Sequence, residues 1–144
     1  MDKHSILIAE DDADDRYLMK SALEETGITG EVEYVENGVE LINYLESLGK
    51  EKDGPIYPKF ILLDLNMPKM DGREVLKKMK SHEEYRKIPI IVFSTTKNQM
   101  EVKRCYDLGA NTYVVKPVSY ETLVSTIKQI CTYWFNTATL IDAP

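Results

Sequence analysis

The chain predicts an α/β fold built on five parallel strands, with a helix after each. Three features of the sequence lead there. Short β-like runs alternate five times with segments of helical spacing, and such alternation needs crossovers that bring each strand back parallel to the last. Three of the runs, Ile6-Leu7-Ile8, Ile61-Leu62-Leu63 and Ile90-Ile91-Val92-Phe93, are apolar without alternation, as strands covered on both faces are. Turn-forming residues fall between the runs rather than inside them.

In chain order, the first strand is expected at Ser5–Ala9. The helix after it carries Leu18, Met19, Ala22 and Leu23 on one face, and Gly27 and Gly30 bracket the turn that follows. The second strand is Glu31–Val35, and Asn37-Gly38 opens a helix with the stripe Leu41, Ile42, Leu45 and Leu48. Residues 49–59, GKEKDGPIYPK, are polar with Gly and two Pro, so they read as a long surface loop. The third strand, Phe60–Leu63, precedes a helix with Val75, Leu76 and Met79 facing inward. The fourth, Ile88–Phe93, precedes a weaker stripe of Val102, Cys105 and Tyr106, ended by Gly109-Ala110-Asn111. The fifth, Thr112–Val115, leads to a helix from about Tyr120 to about Phe135 with Leu123, Ile127, Ile130 and Trp134 on one side. These are the i, i+3, i+4, i+7 offsets of a helix face. One domain over residues 1–136 and a short tail, 137–144, are expected.

Composition narrows the function. The 144 residues fit one domain able to bury a core without staples. Hydrophobic residues make up 43% and charged residues 29%, an ordinary globular balance. With 18 Lys and Arg against 24 Asp and Glu, the net charge is −6, which disfavours nucleic acid as a partner. No apolar run approaches the ~18 residues of a membrane span, and Met1-Asp2-Lys3-His4 leads straight into a strand-like run, so neither a membrane partner nor a signal peptide is expected. Cys105 and Cys131 form no C-x-x-C pair, which points to a reducing, cytoplasmic setting.

In an open α/β sheet, ligands bind beyond the carboxyl ends of the strands. Those ends deliver Glu10-Asp11-Asp12, Asp64, Ser94 and Lys116. Clustered carboxylates repel one another, and a divalent cation relieves the repulsion. Mg²⁺ takes oxygen ligands and is held by one or two carboxylates plus phosphate and water. A carboxylate beside it can act as a nucleophile toward phosphorus, because phosphoryl transfer needs in-line positioning and cancellation of charge on three equatorial oxygens. Lys116 and the Ser94 hydroxyl complete that set.

The stretches ILIAEDD (6–12), FILLDLNMPKMDG (60–72), IPIIVFSTT (88–96) and GANTYVVKPVS (109–119) resemble, in order and spacing, the signature segments of bacterial response-regulator receiver domains. The resemblance implies a flavodoxin-like (βα)5 three-layer sandwich of strand order 2-1-3-4-5. It implies Asp64 as phosphoacceptor, Asp11 on Mg²⁺ with Glu10 acting mainly through water, and the Asn66 backbone carbonyl as a further ligand. Lys116 would contact the phosphoryl group across a cis Lys116-Pro117 peptide, and Ser94 and Tyr113 would be the switch pair. Loop 49–59, the run LLDLNMPKMDGREVL (62–76) and the tail TYWFNTATL (132–140) are most similar to single-domain regulators of cyanobacterial and bacterial phytochrome kinases. The implied partners are a sensor histidine kinase, phytochrome-type first, or a phosphotransfer protein. Output would pass through protein contacts of the face made by the fourth helix, fifth strand and fifth helix, with pairing of two copies through that face as one option. Position 10 is Glu where many receivers carry Asp, and position 94 is Ser where Thr is common. Both keep the required group.

Blander readings apply to the neighbours. Asp12, Asp14 and Asp15 suit a helix start. An EF-hand fails, because the sixth position from Asp11 is Arg16 rather than Gly. Thr95 and Thr96 suit a helix lead-in, His4 and His82 read as surface residues, and the two cysteines as small apolar fillers. Tyr133-Trp134-Phe135 cannot all face inward. A haloacid-dehalogenase-type phosphatase also uses a strand-end Asp with Mg²⁺, but it needs a second Asp two positions on, where this chain has Asn66. A dinucleotide binder lacks its G-x-G-x-x-G.

Overall fold

The computed structural model describes residues 5–28 and 30–141. His4 and the ends of the expected domain and tail lie outside them. The elements run β1 (Ser5–Ala9), α1 (Ala13–Thr26), β2 (Glu31–Val35), α2 (Gly38–Leu48), β3 (Phe60–Leu63), α3 (Gly72–Lys80), β4 (Ile90–Ser94), α4 (Gln99–Asp107), β5 (Thr112–Val115) and α5 (Tyr120–Thr132). A 3-10 turn, Tyr85–Lys87, precedes β4, and a π-helical turn, Tyr133–Thr137, continues α5. The strands form one parallel sheet of order β2-β1-β3-β4-β5.

Period-two alternation divides the apolar strands between two cores. Leu7, Ile61, Leu63, Ile90 and Val92 pack with Leu41, Leu45, Val75, Leu76, Met79 and Cys105 on one face. Ile6, Ile8, Phe60, Leu62, Ile91 and Phe93 pack with Met19, Ala22, Leu23, Leu123 and Ile127 on the other. Both faces are covered, which explains why these strands read as unbroken apolar runs. Edge strand β2 alternates instead, with Glu31 and Glu33 exposed and Val35 buried.

Local chemistry sets the element ends. The Asp12 carboxylate caps α1, accepting from Asp14 N at 2.8 Å and Asp15 N at 3.1 Å, while Gly27 closes the helix at φ 73°, a left-handed conformation that favours glycine. Asn37 caps α2 and Asp71 caps α3. Asn98 caps α4, so the helix start lies beyond Thr95 and Thr96. Strand β4 begins at Ile90 rather than Ile88, because Pro89 has no N–H for the ladder; the Pro89 carbonyl accepts from Ile61 N at 2.9 Å. At its other end the strand runs on to Ser94, which pairs with Val115 of β5. In the last turn Phe135 tilts onto Phe60 at 5.2 Å between centroids, while Tyr133 stays half exposed. Leu18 and Tyr106, placed in the inward stripes by sequence, are exposed. Both cysteines are buried and free.

Candidate functional site

Sheet register brings the acidic positions together. Ala9 pairs with Leu63 and Leu63 with Val92, so Glu10, Asp64 and Ser94 leave three adjacent strands within two residues of one level. The ladder continues past the strand ends: Asp64 N donates to Ala9 O at 3.0 Å, Glu10 N to Val35 O at 3.0 Å and Lys116 N to Ser94 O at 2.8 Å. These bonds hold the backbone at each functional residue. Glycine allows a close approach behind Asp64, since a Cβ on Gly72 would run into the Asp64 carbonyl. Gly72 N donates to Leu65 O at 2.9 Å. The loop between tightens at Lys69, with φ 66° and Met70 N donating to Pro68 O at 2.7 Å, a left-handed conformation costly for a side chain of this size.

Glu10, Asp11 and Asp64 each place a carboxylate oxygen within 4.8 Å of the others. Glu10 is 2% exposed and Asp64 9%, while Asp11 faces solvent. Glu10 accepts from Lys116 Nζ and, at 3.2 Å, from Asp12 N. Burial raises its pKa to about 7 against the pull of Lys116, and the Asp64 charge adds to the rise. Burial also raises Asp64, with Lys116, the Asn66 backbone N–H and a hydrogen bond with Glu10 opposing. Burial works against the Lys116 ammonium too, but Glu10, Asp64 and Asp15 outweigh it and hold the lysine firmly charged.

The donor set tests for a metal. Three carboxylates, two of them desolvated and none accompanied by sulfur or imidazole, suit a hard divalent cation. The residues therefore fit such an ion, with Asp11 open to the solvent that would complete its shell.

The hydroxyl side is organised separately. Ser94 is fully buried, and its Oγ accepts from Thr96 N at 3.3 Å. The Tyr113 phenol donates to Thr96 O at 2.8 Å and interacts with the Ser94 hydroxyl, while its ring packs on the core. The two expected switch residues are thus already in contact.

One expectation fails outright. No peptide bond among the described residues is cis, so Lys116-Pro117 is trans. Trans is the lower-energy X–Pro isomer, and here it still lets Lys116 reach the acids. Three contributors had no signature in the sequence. Arg16 donates to the Glu10 carbonyl at 2.8 Å and pairs with Glu36 at 3.0 Å, pinning the turn that carries the acids. Asp15 lies 3.6 Å from Lys116 Nζ. Arg73 bridges Asp71 and Glu101, tying α3 to α4.

The family model for the response regulator receiver domain matches residues 6–128. The chain belongs to the response regulator receiver domain family. Receivers of this kind are signalling domains rather than turnover enzymes. The probable methanogenesis regulatory protein FilR2 of Methanothrix harundinacea is 37% identical over 94% of this chain and 86% of its own length. Response regulator Rcp1 of Synechocystis is 34% identical over 94% and 91%, and the Mn(2+)-bound form of Rcp1 superposes with a TM-score of 0.83 over 96% and 99% of the two chains at 33% identity. The phosphorylated cyanobacterial phytochrome response regulator RcpA gives a TM-score of 0.87 over 98% of this chain and 100% of its own, at 36% identity. The receiver fold thus extends to this chain through both sequence and shape.

Proposed function

We propose that this receiver takes a phosphoryl group from a phosphohistidine onto Asp64. The observation that carries the reading is the convergence of Glu10, Asp11 and Asp64 within 4.8 Å beside the Lys116 ammonium. An Asp64 carboxylate oxygen attacks phosphorus as the P–N bond to the imidazole breaks, leaving an aspartyl phosphate and a free histidine on the donor. Asp11, Asp64 and the Asn66 carbonyl would hold Mg²⁺, with Glu10 acting through water; the ion's chemistry is to neutralise charge on the phosphoryl oxygens. Lys116 supplies a second cation there, and the Ser94 hydroxyl a donor.

The new group adds a charge of about −1.5 to −2, by analogy with other phosphorylated side chains. It draws Ser94 toward it and disturbs the Ser94–Tyr113–Thr96 contacts. Tyr113 sits on β5 beside α4, so the α4–β5–α5 face carries the output to a protein target, or to a second copy. The phosphodonor is a sensor histidine kinase or a phosphotransfer protein in the cytoplasm. Likeness to RcpA and Rcp1 supports a phytochrome-type kinase first; likeness to FilR2 puts other sensors next. Residues 1–136 are assigned to the receiver domain, with 137–144 as a short tail.

Incubation with acetyl phosphate and Mg²⁺, followed by intact mass, tests the reading. We expect one added phosphoryl group on the wild type, and none with a chelator or in Asp64→Asn. Equal uptake by Asp64→Asn would refute it.

A further inference from the structure

Lys116 has a second anion partner that the phosphoacceptor reading does not use. Its ammonium is shared between Glu10 on the inner side and Asp15 Oδ2, 3.6 Å away, on the outer side. The lysine side chain is 12% exposed and that of Asp15 44%, so Asp15 stands at the mouth of the site. Among the described residues, these two acids are the ion-pair partners of Lys116.

The other acids of this helix start behave differently. Asp12 spends its carboxylate on the cap of α1, and Asp14 is exposed and makes no ion pair among the described residues. Asp15 is one residue further on, and the helical turn swings it over the β5–α5 loop. There a cavity of about 170 Å³, lined by Asp15, Leu18, Lys116, Val118, Tyr120 and Leu123, leaves space beside the lysine side chain for it to change partners.

The geometry points to Asp15 as a positioning residue that holds Lys116 at the outer edge of the site until a phosphoryl group on Asp64 claims the ammonium. This rests on the reading of Asp64 as phosphoacceptor and adds a competition to it. An ammonium bound to Asp15 and Glu10 must loosen its outer contact before it can meet the phosphoryl oxygens. The outer contact is half exposed, so it is weak. Its removal therefore speeds phosphorylation modestly instead of abolishing it. A residue that merely stabilised α1 would slow the reaction or leave it unchanged when replaced.

The test compares full-length wild type with Asp15→Asn, Asp15→Glu and Asp14→Asn. The first readout is the initial rate of phosphorylation by acetyl phosphate with Mg²⁺. Loss of one exposed pair corresponds to about a two- to fivefold faster reaction in Asp15→Asn. Asp15→Glu, which keeps the charge, should stay within about twofold of wild type, and so should Asp14→Asn, which loses the same charge without touching Lys116. Equal acceleration in Asp14→Asn would reduce the effect to general surface charge and overturn the proposal, as would a slower or unchanged Asp15→Asn. The second readout is the side-chain nitrogen resonance of Lys116 in the unphosphorylated protein. It should move in Asp15→Asn and stay in place in Asp14→Asn; an unmoved resonance in Asp15→Asn also overturns the anchor. If the wild type takes up no phosphate, the phosphoacceptor reading fails, and the Lys116 resonance alone decides whether Asp15 holds the lysine.

Discussion

Two half-buried lysines at opposite ends of the sheet are held in opposite ways. Lys116, beyond the carboxyl end of β5, sits among Glu10, Asp15 and Asp64, and its charge is reinforced. Lys80, at the end of α3, donates to the Asn111 side-chain carbonyl at 3.1 Å and to the Arg86 carbonyl at 3.3 Å, and burial lowers its pKa. The first has anions for partners and a field that a phosphate can enter. The second has neutral acceptors and acts as a strut: Asn111 Oδ1 also accepts from Ile90 N at 2.9 Å, so Lys80 braces the start of β4. Residue type is the same at the two ends, though Lys116 meets a deeply buried acid and Lys80 bonds at the exposed surface. The charge of the surroundings decides which end is chemical and which is structural.

The widest contrast comes from removing each lysine. Lys116→Met should slow phosphate uptake from acetyl phosphate by about 10²-fold or more, the scale for losing one donor to a developing anion. It also leaves Glu10 buried without its cation, so unfolding in urea should show a loss of a few kcal/mol above pH 7 that shrinks in acid, where Glu10 takes up a proton. Lys80→Met should leave uptake within about twofold and cost about 1 kcal/mol of stability for its lost hydrogen bonds. Matching losses of uptake in the two variants would erase the distinction.

A pH series sharpens it next. Glu10 rises from 4.5 to about 7 in the fold, and Asp64 is raised as well. Between those values the folded chain binds more protons than the unfolded chain, so rising pH lowers stability. Metal-free protein should lose on the order of 2 kcal/mol between pH 5 and pH 8, read from urea midpoints. Excess Mg²⁺ should flatten that slope, because the cation takes over from the protons. Asp64→Asn should be more stable than wild type at pH 8 without metal, since it removes a desolvated charge facing Glu10. A wild-type slope rising with pH would contradict this account of the buried pair.

The smallest effect belongs to the structural end. His82 Nδ1 accepts from Glu84 N and Tyr85 N, each at 3.1 Å, and its ring stacks on Tyr85 at 3.6 Å. It caps the 3-10 turn before β4. His82→Ala should cost about 1 kcal/mol of stability and leave phosphorylation untouched.

The sequence carried most of the fold for a physical reason. Buried parallel strands must be apolar throughout, and the turns between them must be Gly, Asn or Pro. Four strands, β1, β2, β3 and β5, accordingly begin and end where the residue pattern places them; the fourth starts after the proline at 89 and runs one residue further, to Ser94. The acidic cluster was legible because strand ends on a parallel sheet share one rim. The contacts that fine-tune the rim were not. Arg16 reaching the Glu10 carbonyl, Asp15 reaching Lys116 and Arg73 reaching Glu101 depend on how α1, α3 and α4 rotate over the sheet, and no local spacing encodes that. His82 reads as a surface residue and is exposed; its bonds to the turn before β4 have no mark in the residue pattern. The Lys116-Pro117 peptide shows a different limit: the family resemblance implied cis, and the chain holds trans.

The central claim, that Asp11 joins two buried carboxylates around a divalent cation, is tested most directly by calorimetric titration with Mg²⁺ at pH 7.5. Asp12→Asn keeps a side chain able to cap α1 and removes the same charge one residue away, so it is the control for Asp11→Asn. Affinity should fall at least about tenfold in Asp11→Asn, the scale for losing a carboxylate ligand, and stay within about twofold in Asp12→Asn. Equal affinities in wild type and Asp11→Asn, or equal losses in the two variants, would contradict a site built from Glu10, Asp11 and Asp64.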